Sequence, residues 1–393
     1  MSAQDSTGND VDNGWNLSSD VRIVRGKNEA AIYQFSKQRL IRISNEVADV
    51  IEHGLYTPMQ KRQLLAEGLL AGCGSGSFIE DSDSGEIGTI CTAWLELTPS
   101  CNLRCSHCYM GDVLQDECNI DKAKWLEIID YLLQWNCKNV IFLGGEPLLS
   151  PILPALLSHL RKHSKSIHIS VITNGTTLSD KWLEIFKNDN VSLRFSLLGI
   201  TARMHDGITM CQGSFDKLIT SIHKAQTYGI DFDIGITLLP ETQSFRGDFI
   251  DFCKREFDVS RVKFSHVRPQ GRFAKQPRSG GDEREFCRLD ITKPFFENAN
   301  RHHTCLYGKT VFSYTGKVHP CIMARYAEQN LESVLGQPPL QAFKEWWFLT
   351  KDKINGCKYC AMRYGCFDCR GYANDLYSPP SNCHLATQLS ELG

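Results

Sequence analysis

From Ala93 onward the chain alternates between short runs that read as β-strands and longer runs that read as α-helices. This alternation restricts the fold more than any other feature. Strands are expected at 94–98, 140–143, 167–172, 191–198, 232–239 and 261–267. Helices fit between them, the clearest at 121–135, 179–187, 215–228 and 245–257. The first carries Trp125, Ile128, Ile129, Leu132 and Leu133 on one face, the spacing of an amphipathic helix. Strands joined by helical crossovers predict an α/β fold built on a parallel sheet with right-handed connections. Six repeats rather than eight predict a partial (β/α)6 TIM-like barrel. In such barrels chemistry gathers at the C-terminal ends of the strands.

The loop after the first of these strands reads Thr98-Pro99-Ser100-Cys101-Asn102-Leu103-Arg104-Cys105-Ser106-His107-Cys108-Tyr109. Three thiolates on one short loop can ligate three irons of a [4Fe–4S] cube and leave the fourth iron open to a substrate or cofactor. A closed set of four cysteines would point to structure or electron transfer; a set of three points to catalysis. Leu143-Gly144-Gly145-Glu146-Pro147 follows the second strand, where two glycines permit close approach to the backbone. Thr173-Asn174-Gly175 follows the third strand and is by itself an ordinary turn sequence.

Together these motifs resemble radical S-adenosylmethionine (SAM) enzymes. The resemblance implies that Cys101, Cys105 and Cys108 hold a [4Fe–4S] cluster whose free iron binds the amino and carboxylate groups of SAM. It also implies that the backbone at Gly144, Gly145 and Glu146 receives the SAM amino group and that Thr173 and Asn174 form the family's T-N-G turn. Ser196 matches a serine that contacts SAM, and His107 stands where the family places an aromatic residue near the adenine. In that family the reduced cluster gives one electron to SAM, releasing methionine and a 5′-deoxyadenosyl radical that takes hydrogen from an unactivated carbon. His205-Asp206-Gly207 and Gly213-Ser214-Phe215 read as helix caps and loop structure. Arg272, after the sixth strand, is expected near the barrel mouth, facing a substrate carboxylate or forming a surface salt bridge.

The chain has seventeen cysteines, and they crowd toward its end. Cys305 precedes Gly316-Lys317-Val318-His319-Pro320-Cys321. Cys357, Cys360, Cys366, Cys369 and Cys383 follow. This series resembles the SPASM extension of radical SAM enzymes, which holds two auxiliary [4Fe–4S] clusters. The Cys366-x2-Cys369 interval is one residue shorter than the usual pattern. The resemblance assigns Cys305, Cys321 and Cys369 to one auxiliary cluster, with Cys287 a candidate fourth ligand, and Cys357, Cys360, Cys366 and Cys383 to the other. Zinc is the competing reading, but zinc ribbons separate their C-x2-C pairs by about 15–20 residues, far more than here. Cys73, Cys91, Cys118, Cys137, Cys211 and Cys253 stand alone and read as ordinary thiols.

Upstream of the barrel, residues 1–19 are polar and read as a disordered tail without a signal-peptide core. Residues 20–72 read as three strands followed by helices capped by Ser44 and Thr57. This order resembles the winged-helix recognition module that binds leader peptides of ribosomally made natural products, a purely structural subdomain being the alternative. Residues 73–92 read as a linker, 93–290 as the barrel and 291–393 as the cysteine-rich extension. A net charge of −2 gives no basic face for nucleic acid, and no apolar run is long enough to span a membrane. Clustered cysteines without an export signal predict a reducing cytoplasm.

The layout resembles peptide maturases, as does the run Arg363 to Arg370. It implies an oxidoreductase that takes two electrons from a precursor peptide, forming an intramolecular C–C (cyclophane-type) or thioether crosslink. The auxiliary clusters would receive electrons, and a flavodoxin- or ferredoxin-type protein would supply them. A sulfatase-maturase-like oxidation of Cys or Ser on a protein is the first alternative; a non-enzymatic iron–sulfur carrier is the second. No Asp or Glu is singled out by spacing as a general base.

Overall fold

The computed structural model describes residues 15–72, 88–112, 120–275 and 288–391. Strand β1 (Trp15–Leu17) pairs antiparallel with β5 (Leu70–Gly72), while β2 (Val21–Arg25), β3 (Ala30–Gln34) and β4 (Arg39–Ile43) form a separate antiparallel sheet in that order. Strand β1 lies inside the expected tail. Leu17 anchors it by packing beside Val21, Ile32, Ile51 and Leu69. Residues 1–14 lie outside the described residues. Helix α1 (Asn45–Glu52) starts where the Ser44 side chain accepts the Val47 N–H. Helix α2 (Pro58–Ala66) starts at a reciprocal capping box between Thr57 and Gln60.

All five residues of β3 are buried, because both faces of the strand are covered. Successive side chains point to opposite faces. Ile32 faces the cluster that includes Ile51 of α1. Ala31, Tyr33 and Phe35 face Ile291, Phe296 and Ala361, which come from the far end of the chain. The Tyr33 hydroxyl donates to Ala361 O at 3.2 Å and accepts the Gly365 N–H at 3.2 Å. Lys27 N–H donates to Tyr359 O at 2.9 Å, and Arg363 donates to Arg25 O at 2.8 Å. A Cβ on Gly26 would lie 2.6 Å from Tyr359 O, so glycine permits this approach. The N-terminal sheet is thus seated on the cysteine-rich segment.

Six strands then pair in parallel in chain order: β6 (Thr92–Glu96), β7 (Asn139–Leu143), β8 (His168–Thr173), β9 (Val191–Ser196), β10 (Phe232–Leu238) and β11 (Val262–His266). Helices α3 (Lys122–Gln134), α4 (Leu153–His163), α5 (Asp180–Asn188), α6 (Ala202–Thr209), α7 (Ser214–Tyr228) and α8 (Arg246–Phe257) connect them. Along β10, Phe232, Ile234, Ile236 and Leu238 enter the main core, and the residues between them are only partly buried. Strand period two therefore gives one face to the core and leaves the other for polar groups. Of the expected linker, residues 73–87 lie outside the described residues. Ile90 is already fully buried in the main core.

The end of the chain does not form a wholly separate unit. After α9 (Lys293–Arg301), β12 (Lys309–Ser313) pairs in parallel with β6, setting Val311 opposite Trp94. Strands β13 (Lys317–His319) and β14 (Gln329–Asn330) extend it antiparallel. The sheet therefore has nine strands among the described residues, in the order β11-β10-β9-β8-β7-β6-β12-β13-β14. The cysteine-rich extension thus contributes strands to the same sheet. Four of the five β12 residues are buried, so the strand lacks the alternation that marks a half-buried strand. Among the described residues no helix is long and apolar enough to cross a membrane.

Candidate functional site

Three loops meet at the C-terminal ends of β6, β7 and β8. Leu97 N–H bonds Leu143 O at 2.9 Å, Gly145 N–H bonds Thr98 O at 2.7 Å and Glu146 N–H bonds Ser100 O at 2.9 Å. The Gly144-Gly145 turn is thereby laid against the start of the cysteine loop. A Cβ on Gly145 would stand 2.2 Å from Ser100 O, and one on Gly144 (φ +135°) 2.6 Å from Thr98 O. These glycines are required by the protein's own backbone contact, whatever ligand the turn receives.

Glu146 is fully buried and ties the second loop to the third. Its carboxylate accepts from the Thr173 hydroxyl at 2.7 Å, Asn174 N–H at 2.8 Å and Leu148 N–H at 3.1 Å. Burial pushes this carboxyl up to about 7, against the pull of the three donors. The Asn174 amide returns to the cysteine loop, 3.0 Å from Asn102 Oδ1 and 3.9 Å from Cys101 Sγ. Asn102 reaches Thr176 at 2.7 Å. Ser196 ends β9, two strands from Leu143 and one from Thr173.

The far side of the cysteine loop rests on α6. Arg104 N–H bonds Thr209 O at 3.1 Å and Ser106 N–H bonds Ile208 O at 2.9 Å. Met210 follows in the left-handed region (φ +55°), and Asp206 caps α7 by accepting from Gly213 N–H, Phe215 N–H and the Ser214 hydroxyl. His205 is buried, and its Nδ1 accepts the Leu198 N–H at 3.2 Å. His107 faces it; burial, then His205, hold the His107 imidazole down at about 4, so it is neutral at pH 7. Its buried Nδ1 has no hydrogen-bond partner among the described residues.

Arg272 closes the loop from the β11 side. It forms a salt bridge to Asp112 at 2.7 Å, donates to Cys105 O at 3.1 Å, and gives its N–H to Cys108 O at 3.0 Å. Of the two sequence expectations the structure shows the salt bridge. Gly271 (φ +57°) makes this possible, since a Cβ there would lie 2.1 Å from Cys108 O.

The thiols fit an iron–sulfur cluster. Cys101 is exposed, and Cys105 and Cys108 are half-buried, on the loop that follows β6. Burial, then the neighbouring Cys101 and Cys108, push the Cys105 thiol up to about 12. Such mutual repulsion between thiolates is relieved by a cationic centre. Leu103 N–H already points at Cys101 Sγ at 3.4 Å, a donor of the kind that tunes cluster thiolates. Among the described residues no three His, Cys, Asp or Glu converge on a point as a single metal ion demands. A cube spreads its thiolates over separate irons and makes no such demand.

The later cysteines influence one another within two groups. Burial pushes Cys321 up to about 12, with Cys305 and Cys369 adding to it. Burial likewise raises Cys366, which feels Cys383 and Cys360. Met323 N–H lies 3.4 Å from Cys321 Sγ, and Ala386 N–H 3.4 Å from Cys383 Sγ. Cys287, the candidate fourth ligand, lies outside the described residues, as do Cys73 and Cys118. Of the solitary thiols, Cys137 and Cys253 are buried, Cys211 is half-buried and Cys91 is exposed.

Sequence reasoning missed Glu96, Tyr109 and Arg325. Glu96 ends β6, is fully buried, and accepts from the Tyr109 hydroxyl at 2.9 Å and from Arg325. The pair Glu96–Arg325 joins the strand before the first cysteine loop to the residues after Cys321. A carboxylate closing an otherwise apolar strand was the available signal.

The family model described as the radical SAM superfamily matches residues 95–253. Among curated proteins, Fe-coproporphyrin III synthase from Methanosarcina barkeri is 27% identical over 46% of this chain and 44% of its own. Mycofactocin maturase MftC from Mycobacterium tuberculosis is 28% identical over 49% of each. The chain spans about half the length of these curated relatives. Among solved structures, SuiB from Streptococcus suis bound to its precursor peptide SuiA superposes with a TM-score of 0.59 at 15% identity, covering 94% of this chain and 100% of that one. Residues 95–253 thus form a radical SAM domain, of a superfamily whose members pair a [4Fe–4S] cluster with SAM.

Proposed function

We propose that this protein is a radical SAM peptide maturase that removes two electrons from a ribosomally made precursor and closes an intramolecular crosslink, C–C or thioether. When bound, the cluster and SAM supply a 5′-deoxyadenosyl radical that removes a hydrogen atom from the peptide. Cys101, Cys105 and Cys108 would hold the cluster. The turns at Gly144–Glu146 and Thr173–Asn174, with Ser196 and His107, would hold SAM. Glu146 contributes by fixing two of these turns to each other; its carboxylate is fully engaged inside the protein. Neutral His107 suits an adenine neighbour, since it brings no charge into a buried position.

The observation that carries the peptide assignment is the seating of the N-terminal sheet on the Cys357–Cys366 segment through Tyr33, Gly26 and Arg363. We read residues 20–72 as a leader-recognition module that takes an extended peptide on a sheet edge. Among the described residues β2 and β4 each pair only with β3, which leaves an edge on either side. The likeness to SuiB in its precursor complex supports this reading, because it extends over the N-terminal region. Cys305, Cys321 and Cys369, and Cys357, Cys360, Cys366 and Cys383, would hold two auxiliary clusters that accept the electron left after hydrogen abstraction. A flavodoxin- or ferredoxin-type protein would reduce the first cluster.

Co-expression with a short peptide encoded beside this gene tests the assignment. A product lighter by two hydrogen atoms, dependent on Cys105, is expected. An unmodified peptide, or a Cys or Ser oxidised on a folded protein without need of a leader, would replace this reading with a sulfatase-maturase type.

A further inference from the structure

Four charged or titratable side chains are buried together between the two groups of late cysteines: His303, Lys351, Asp368 and Arg370, each at most 5% exposed. Arg370 donates to Asp368 Oδ1 at 3.0 Å and to the carbonyls of Leu376 at 3.1 Å and Ser378 at 2.9 Å. His303 Nδ1 accepts N–H groups from Cys305 at 3.1 Å and Leu306 at 3.3 Å. Its proton is therefore on Nε2, which faces Asp368 Oδ2 at 3.5 Å. Lys351 donates to Cys366 O. Asp368 itself stands in the shortened interval between Cys366 and Cys369.

Burying ions in this way is costly, and an apolar filling of the same shape would be at least as stable. A redox role gives the charges a use. Reducing a cluster adds negative charge, so a buried carboxylate beside it opposes reduction and a buried cation favours it. The reach of the two charges differs. Asp368 lies in sequence between Cys366 of the second set and Cys369 of the first, and its Oδ2 faces His303, whose Nδ1 accepts the Cys305 N–H. Lys351 instead bonds the carbonyl of Cys366, in the second set.

We propose that Asp368 is a positioning residue that lowers the reduction potentials of both auxiliary sites, while Lys351 raises that of the Cys357–Cys360–Cys366–Cys383 site alone. The inference rests on the reading that these cysteines hold two clusters, and the test separates the two claims. In full-length protein with Cys101, Cys105 and Cys108 changed to Ala, reconstituted with iron and sulfide, the auxiliary signals are titrated potentiometrically by electron paramagnetic resonance. Cys357→Ala identifies the signal of the second site. Asp368→Asn should move both midpoints upward, Asp368→Glu should leave them near the starting values, and Lys351→Met should move only the second downward.

Both substitutions moving the potentials in one direction, or neither moving them, would overturn the inference while leaving the clusters in place. A reconstituted protein without bound iron would overturn the underlying reading, and the inference with it. If Asp368→Asn does not fold, Lys351→Met decides: a fall confined to the second site upholds the assignment, and no change or a shift at both sites refutes it.

Discussion

Asn174 gives its backbone N–H to Glu146 at 2.8 Å, and this bond joins the loop after β7 to the loop after β8 beneath the cysteine triad. The same carboxylate holds Thr173 and Leu148. Replacing Glu146 by Ala should strand three donors in a dry site and destabilise the protein by about 3 kcal/mol, read from urea midpoints. Glu146→Gln should cost less, since its carbonyl oxygen still accepts.

The same residue makes a pH prediction for the metal-free protein. Burial raises its carboxyl from an ordinary 4.5 to about 7, so in that window the folded chain holds a proton that the unfolded chain has released. The destabilising contribution is absent below the unfolded value and complete above the folded one; stability from this group falls as pH rises through the window. Glu146→Gln should flatten that part of the profile. An unchanged profile would show that the carboxylate is better solvated than its burial implies.

Gly271→Ala should disable the first cluster site. The new Cβ would meet backbone at Cys108, which cannot swing aside as a flexible side chain can, and the positive φ adds strain. Iron bound by the Cys101 triad should fall severalfold. Gly213→Ala is the control: its φ of +79° is strained, but nothing lies within 4 Å of the added carbon, so a loss of about 1 kcal/mol with normal iron content is expected.

Much of this site was legible because its parts follow strand ends. The cysteine loop, Gly144-Gly145 and Thr173-Asn174 each come directly after a strand whose alternation is plain, and a parallel sheet brings such ends together. Ser44 and Thr57 announce their helices for equally local reasons. Long-range pairings left no local mark. Nothing near Lys309 signals that β12 will lie beside β6, and Glu96 and Arg325 are far apart in the chain. Asp206 read correctly as a cap because its partners are within ten residues. Asp368 gave no sign that it would be buried: Arg370 is a local partner, but His303 comes from a distant turn.

Tyr33→Phe should loosen the junction between the N-terminal sheet and the cysteine-rich segment. It removes one hydroxyl that serves both Ala361 O and Gly365 N–H, at a cost of about 2 kcal/mol for the groups left unpaired. Hydrogen exchange should accelerate at 361–365 while α3 and α4 stay protected. The substitution also warns against testing leader binding by deleting residues 1–90, because that deletion would uncover the same segment. Exposed substitutions on β4, such as Arg42→Glu, separate peptide affinity from the integrity of the junction.

In the proposed function, Cys101, Cys105 and Cys108 start radical chemistry that ends in oxidation of a peptide. The most direct measurement incubates anaerobically reconstituted protein with SAM, reductant and the precursor peptide, and follows 5′-deoxyadenosine and peptide mass in one reaction. The expected result is that 5′-deoxyadenosine accumulates as the peptide loses two hydrogen atoms, and that Cys105→Ala abolishes both. Iron-loaded protein that forms no 5′-deoxyadenosine, or forms it equally well with Cys105→Ala, would contradict it.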